Sequence, residues 1–190
     1  SAARVFLFGA RDVWFVVGVP VFLYDQLGWT FNQVGAFMAA WVIGYGFVQA
    51  VAPKLTSRSL DGLSTEVRAA RIWLVLLALT VVVIIAALSL GVDPGVALIA
   101  GLSLFGIVFA VNSAVHSYLI LALSENDGVT MNVGFYYGAN ATGRLLGTLL
   151  SGISYQWAGI DGCLIVAFMF LVAATVFTSF LRDKRALHTA

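Results

Sequence analysis

A chain of 190 residues that is 61% hydrophobic and 10% charged has too little polar surface to cover a water-soluble globule, where about a quarter of residues are charged. Its net charge of +1 gives no field for nucleic acid, and one cysteine, Cys163, can make neither an internal disulfide nor a soft-metal site. What remains is an all-α membrane protein embedded in the lipid bilayer. Its apolar runs are continuous, whereas barrel strands alternate apolar and polar residues over about ten positions.

Six stretches are long enough to cross a hydrocarbon core of about 30 Å. The first, Val5–Tyr24, carries Arg11 and Asp12 side by side in the run "FLFGARDVWFVVGVPVFLY". Arg11 lies about 9 Å in from the start, and Asp12 points about 100° away around the helix, so the two need not pair. Gly18 and Pro20 predict a kink, because proline supplies no backbone donor. The link "DQLGWT" leads to the second span, Phe31–Leu55, with Gln49 and the small residues Ala36, Ala40 and Gly44. A hydrophilic loop, "KLTSRSLDGLSTEVRAAR", separates it from the third span, Ile72–Leu90, whose polar groups are hydroxyls alone.

The fourth span, Val96–Leu123, follows "GVDPG" and holds Asn112 and His116. His116 is about 10 Å from the end of the span and Asn112 one turn deeper, a depth similar to that of Arg11 and Asp12. These four side chains are therefore expected to be able to share one cavity. The fifth, Met131–Trp157, follows "SENDGVT" and carries Tyr136, Tyr137, Asn140 and, one turn on, Arg144. Arg144 is near the midpoint, roughly 20 Å from either end. Gly134, Gly138, Gly143, Gly147 and Ser151 recur through this span, a spacing that lets helix backbones approach closely. After "AGIDG" the sixth span, Gly162–Leu181, is again without charge. The third and sixth spans suit lipid; the other four are expected to hold the interior.

Lysine and arginine set the orientation. In the six-span reading Arg4, Lys54, Arg58, Arg68, Arg71, Arg182, Lys184 and Arg185 share one side, while Asp25, Asp93 and Asp161 mark the other. The basic side is expected to be cytoplasmic, with both ends of the chain there. Among the residues within spans, Arg144 and Arg11 are the candidate contacts for a small anionic substrate, since a guanidinium fork matches two oxygens of an oxyanion. Asn140, Asn112, His116 and Tyr137 are candidate assisting donors, and Asp12 a candidate for coupling or charge balance. An intramembrane hydrolase is disfavoured. Ser103 lacks a G-x-S-x-G elbow, and His116 on the same helix is about 20 Å away along the axis.

Six spans with both ends inside resemble one half of a major facilitator transporter, built of two inverted three-helix repeats. The strings "SAARVFLFGARDVWFVVGVPVFLY", "LGWTFNQVGAFMAAWVIGYGFVQAVAP" and "MNVGFYYGANATGRLLGTLLSG" resemble the ArsJ-type organoarsenical efflux permeases. The likeness extends over residues 1–190 and corresponds to the C-terminal half. It implies a missing N-terminal half, or a second copy in its place. It implies export of 1-arseno-3-phosphoglycerate across a bacterial inner membrane by alternating access, conferring arsenate resistance, with no cofactor. Glyceraldehyde-3-phosphate dehydrogenase, which makes that ester from arsenate, would be the metabolic partner. A facilitator exporting another small anionic metabolite or drug is the alternative.

Overall fold

The computed structural model describes residues 2–55, 64–123 and 129–180, and these are helical without a strand. The helices are α1 (Ala2–Phe15), α2 (Gly18–Asp25), α3 (Phe31–Leu55), α4 (Ser64–Ser89), α5 (Pro94–Leu123) and α6 (Val129–Ser179). Five helical segments of the described chain are long and apolar enough to cross a membrane, α1 and α2 counting together as one. Local chemistry sets several boundaries. Thr30 and Gln33 form a reciprocal cap before α3: the Gln33 amide donates to Thr30 Oγ1, and the Thr30 amide to Gln33 Oε1 at 2.8 Å. Asp93 accepts from the Val96 amide at 2.9 Å and precedes Pro94 at the first turn of α5.

The expected kink in the first span is a full break between Phe15 and Gly18. The amides of Val17 and Gly18, freed there, both donate to Ser151 Oγ, at 3.1 and 3.2 Å. The boundary expected at "AGIDG" falls inside α6, where Ala158 and Gly159 leave helical geometry. Gly159 has φ 60°, a left-handed value that glycine adopts without steric cost. The chain doubles back there. Cys163 Sγ lies 3.5 Å from the Ser151 carbonyl, whereas twelve residues of continuous helix would separate them by about 18 Å. Thus α6 is a hairpin of two arms, residues 129–157 and 160–179.

The helix pair α1–α2 lies between these arms. Val5 meets Gly143, Gly9 and Asp12 meet Gly147, and Val17 meets Ser151, so α1 and the first arm run parallel. Gly18 meets Cys163 and Phe6 stacks on Phe177, so the second arm runs back beside it. A Cβ on Gly147 would lie 2.7 Å from the Gly9 carbonyl oxygen; bare backbone there is what permits the approach. Gly134 and Gly138, earlier in the same stripe, face open space. Elsewhere Gly101 receives Ile84 between α4 and α5, and Trp41 donates to the Leu102 carbonyl at 2.9 Å between α3 and α5.

The ends of the bundle are chemically distinct. Arg71 donates to the Ser179 carbonyl, joining the start of α4 to the end of α6. Leu27 packs on Gly95 beside Asp93 at the opposite end. Arg58, Arg182, Lys184 and Arg185 lie outside the described residues, as do residues 56–63 and 124–128 of two predicted links. Two expectations need correction. The least covered helix is α3, with 11% of its apolar window buried against 56% for α1–α2, rather than the third or sixth span. Arg4 is not at the rim: its side chain turns into the bundle and is 2% exposed.

Candidate functional site

Helical periodicity builds one polar wall from four helices. Arg4 and Phe8 on α1, Tyr45 and Gln49 on α3, Ser113 and Ser117 on α5, and Val133, Tyr136, Tyr137 and Asn140 on the first arm of α6 are each spaced three or four residues apart. Together they line a cavity of about 490 Å³. Arg4 is its central group. Nε donates to Asn140 Oδ1 at 2.7 Å, Nη1 reaches the Ser113 carbonyl at 3.5 Å, and Nη2 donates to Ser117 Oγ at 3.2 Å and to the Tyr136 hydroxyl. Its guanidinium carbon stands 3.8 Å from the centroid of the Tyr136 ring and 4.9 Å from that of Phe8.

Every one of these partners is neutral. Among the described residues no carboxylate lies within ion-pair distance of Arg4. A buried cation held by neutral dipoles and ring faces keeps its positive field, because none of its neighbours cancels the charge. The same partners also bond one another: Ser117 Oγ sits 2.6 Å from the Tyr136 hydroxyl and 2.8 Å from the Ser113 carbonyl it donates to. The Arg4 side chain is thereby fixed in position.

One turn further along the same faces lies a second charged group. Arg11 and Asp12, which the sequence left free to pair or not, do pair, with Arg11 Nε 2.6 Å from Asp12 Oδ1. The long arginine side chain curls back around the helix, which offsets the 100° between the two positions. Asp12, 1% exposed, also receives Arg144 Nε on its other oxygen at 3.3 Å. Arg11 lies over the Phe8 and Phe109 rings, 5.4 Å from each centroid. Arg144 is different: its side chain is 63% exposed.

The proposed meeting of Arg11, Asp12, Asn112 and His116 divides into two groups. Arg11 and Asp12 form the ion-paired group with Arg144, Asn112 and His116 are buried on α5, and none of these five residues lines the 490 Å³ cavity. Neither atom of the Asn112 amide has a hydrogen-bond partner, nor has His116 Nε2. Asn140 and Tyr137 do line the cavity, Asn140 as the acceptor for Arg4. The contributions of Arg4, Tyr45, Ser113 and Ser117 were not anticipated. One signal for Arg4 was available: Arg4, Phe8 and Arg11 follow the i, i+4, i+7 spacing of a single helix face. Among the described residues no group of three His, Cys, Asp or Glu side chains is placed to hold a metal ion.

Neither a curated protein nor a solved structure matches the chain. The family model of the Major Facilitator Superfamily does, over residues 3–190. That match takes in every helix around the arginine-bearing cavity, from the broken first span to the returning arm of the hairpin. The chain is a multi-pass membrane protein of a transporter family, and it belongs to the Major Facilitator Superfamily.

Proposed function

We infer that this chain is one six-span half of a facilitator transporter that exports a small organic oxyanion by alternating access. The six spans count the two arms of α6 separately, and the basic end of the bundle faces the cytoplasm. The observation that carries this reading is Arg4: a buried guanidinium, bordered by a cavity, with neutral partners and no carboxylate. Such a group favours an arriving anion because the protein leaves its charge uncompensated. An inside-negative potential adds about 2.3 kcal/mol per net negative charge per 100 mV toward exit.

The sequence likeness to organoarsenical permeases supports 1-arseno-3-phosphoglycerate as the passenger, and hence arsenate resistance in a bacterial inner membrane. Pentavalent arsenic bound through oxygen needs guanidinium and hydroxyl donors rather than thiols. The cavity offers Arg4, Ser117, Tyr136 and Tyr137, while Cys163 is buried away from it. The complete transporter pairs this half with a second six-span half. Export of another small anionic metabolite is the second reading, favoured equally by Arg4 and separated from the first by substrate alone.

The test is arsenate resistance in cells carrying the full-length transporter, with Arg4→Gln, Arg11→Ala and Arg144→Ala compared at equal membrane levels. Arg4→Gln is expected to lower the tolerated arsenate concentration at least tenfold. Full resistance in all three variants would remove the anion site; no resistance from the unsubstituted protein would leave the second reading.

A further inference from the structure

The interior of the bundle holds a second polar spot, on α5 and outside the Arg4 cavity. Asn112 is fully buried, and His116, four residues on, is 6% exposed. The Asn112 carboxamide makes no hydrogen bond through Oδ1 or Nδ2, and His116 makes none through Nε2. Residues at i and i+4 share one helix face, with Cβ atoms about 5–6 Å apart. Three buried polar atoms without partners therefore lie within about one turn of each other. Ser113, between them in the chain, is a different case, because the Tyr45 hydroxyl is its neighbour in the cavity wall.

The neighbouring helices explain why no protein group answers these atoms. Gly101 receives Ile84 of α4, and Asn112 lies three turns further along the same stripe of α5. Phe109 packs edge-on against Phe8 of α1, and His116 lies two turns beyond Phe109 on that face. Asn112 is thus turned toward α4 and His116 toward α1. The helices α4 and α5 are consecutive and antiparallel, so three turns back from Ile84 brings Leu74 and Leu77 near the level of Asn112. Those two side chains, and Leu7 on α1, are fully buried hydrocarbon with nothing to donate or accept.

The atoms themselves specify the ligand. A carboxamide offers donors at Nδ2 and an acceptor at Oδ1, and an imidazole nitrogen is one or the other according to its tautomer. An anion would satisfy Nδ2 and leave Oδ1 bare, and a cation would do the reverse. A molecule that both donates and accepts, and is small enough to enter a packed seam between helices, is water. Two hydrogen bonds of about 3 Å to one oxygen span the distance between side chains one turn apart. We propose that Asn112 and His116 hold an ordered internal water between α1, α4 and α5, bridging the carboxamide to His116 Nε2. The site takes a neutral ligand and is independent of which passenger the Arg4 cavity carries. It makes Asn112 and His116 a single hydrogen-bonded unit, in which loss of either side chain frees the other.

The experiment is radiolytic hydroxyl-radical footprinting of the full-length transporter in detergent, with side-chain oxidation read by mass spectrometry. A radical formed from a bound water attacks the side chain beside it, even where bulk solvent does not reach. Phe22, on α2, is the apolar reference, since at 9% it is slightly more exposed than His116. In the unsubstituted protein His116 is expected to be oxidised about fivefold faster than Phe22 or more. Asn112→Leu removes one side of the bridge and is expected to slow His116 oxidation about threefold or more, leaving Phe22 unchanged. Oxidation of His116 no faster than that of Phe22 overturns the water site, and that comparison needs no variant to fold. Unchanged His116 oxidation in folded Asn112→Leu overturns the bridge to Asn112.

Discussion

At the scale of single residues, the broken first span depends on one hydroxyl. Ser151 Oγ accepts from both Val17 and Gly18, two amides that a continuous helix would have bonded internally. Removing it leaves two backbone donors without a partner in an apolar interior, where each orphan costs about 1–3 kcal/mol. Ser151→Ala is therefore expected to destabilise the chain by roughly 2–6 kcal/mol, read as a lower unfolding midpoint in detergent or bicelles. An unchanged midpoint would show that these amides have another acceptor. The same scale shows what a linear reading can find. Counting residues places Arg144 deep within a span, but it does not show that the side chain is 63% exposed. Arg4 was not legible as an interior charge, because its backbone lies in the first turn of α1 while its guanidinium reaches Asn140 and Ser113 on other helices. A rule based on position in the chain places the Cα, and a long side chain places the charge.

At the scale of elements, the first arm of α6 has two faces. Gly143 and Gly147 lie directly on α1 backbone, whereas Gly152 meets nothing within 4 Å. Gly147→Ala should cost about 1–3 kcal/mol through overpacking against Gly9 and Asp12, while Gly152→Ala should cost less than about 0.5 kcal/mol. Thermal unfolding of the two variants side by side checks this; equal effects would mean that α1 yields to the added methyl. The stripe of small residues was readable in the sequence, but which of its members touch a neighbour was not. That depends on the register of α1 against α6, which is set by contacts between residues more than 130 positions apart, such as Asp12 with Arg144. The breaks were more legible. Proline and glycine chemistry acts locally, so "GVPV" and "AGIDG" mark the interruptions at Phe15–Gly18 and Ala158–Gly159 without tertiary information.

At the scale of the whole molecule, the segregation of charge predicts sidedness. Cys163, buried, is the one cysteine of these 190 residues, so Cys163→Ala, with any cysteine of the second half also replaced, makes a clean host for labelling. A cysteine at Asp25 or Asp93 is expected to react with a membrane-impermeant maleimide added outside intact cells. One at Arg71 should react only after the membrane is opened. The reverse pattern would invert the proposed orientation, and labelling of all three from outside would remove the spanning assignments of both α3 and α4. The helical class and the apolar spans were written into composition, since a chain with so few charges has few other solutions. The coverage of each helix was not. The faces of α3 and of the first arm of α6 expose large apolar side chains, Ile43, Phe47, Leu145 and Leu149 among them. Nothing local distinguishes a face that meets lipid from one that meets protein, because both reward the same residues.

The seating of α1 between the two arms of the final hairpin also bears on how the chain is made. Arg4 and Asp12 emerge from the ribosome 136 and 132 residues before Asn140 and Arg144. At about 5–20 residues per second that interval lasts roughly 7–27 s. Throughout it, α1 holds Arg4 without Asn140 and Asp12 without Arg144. The enclosure of α1 is therefore a late step of assembly, completed only when the two arms of α6 have been made.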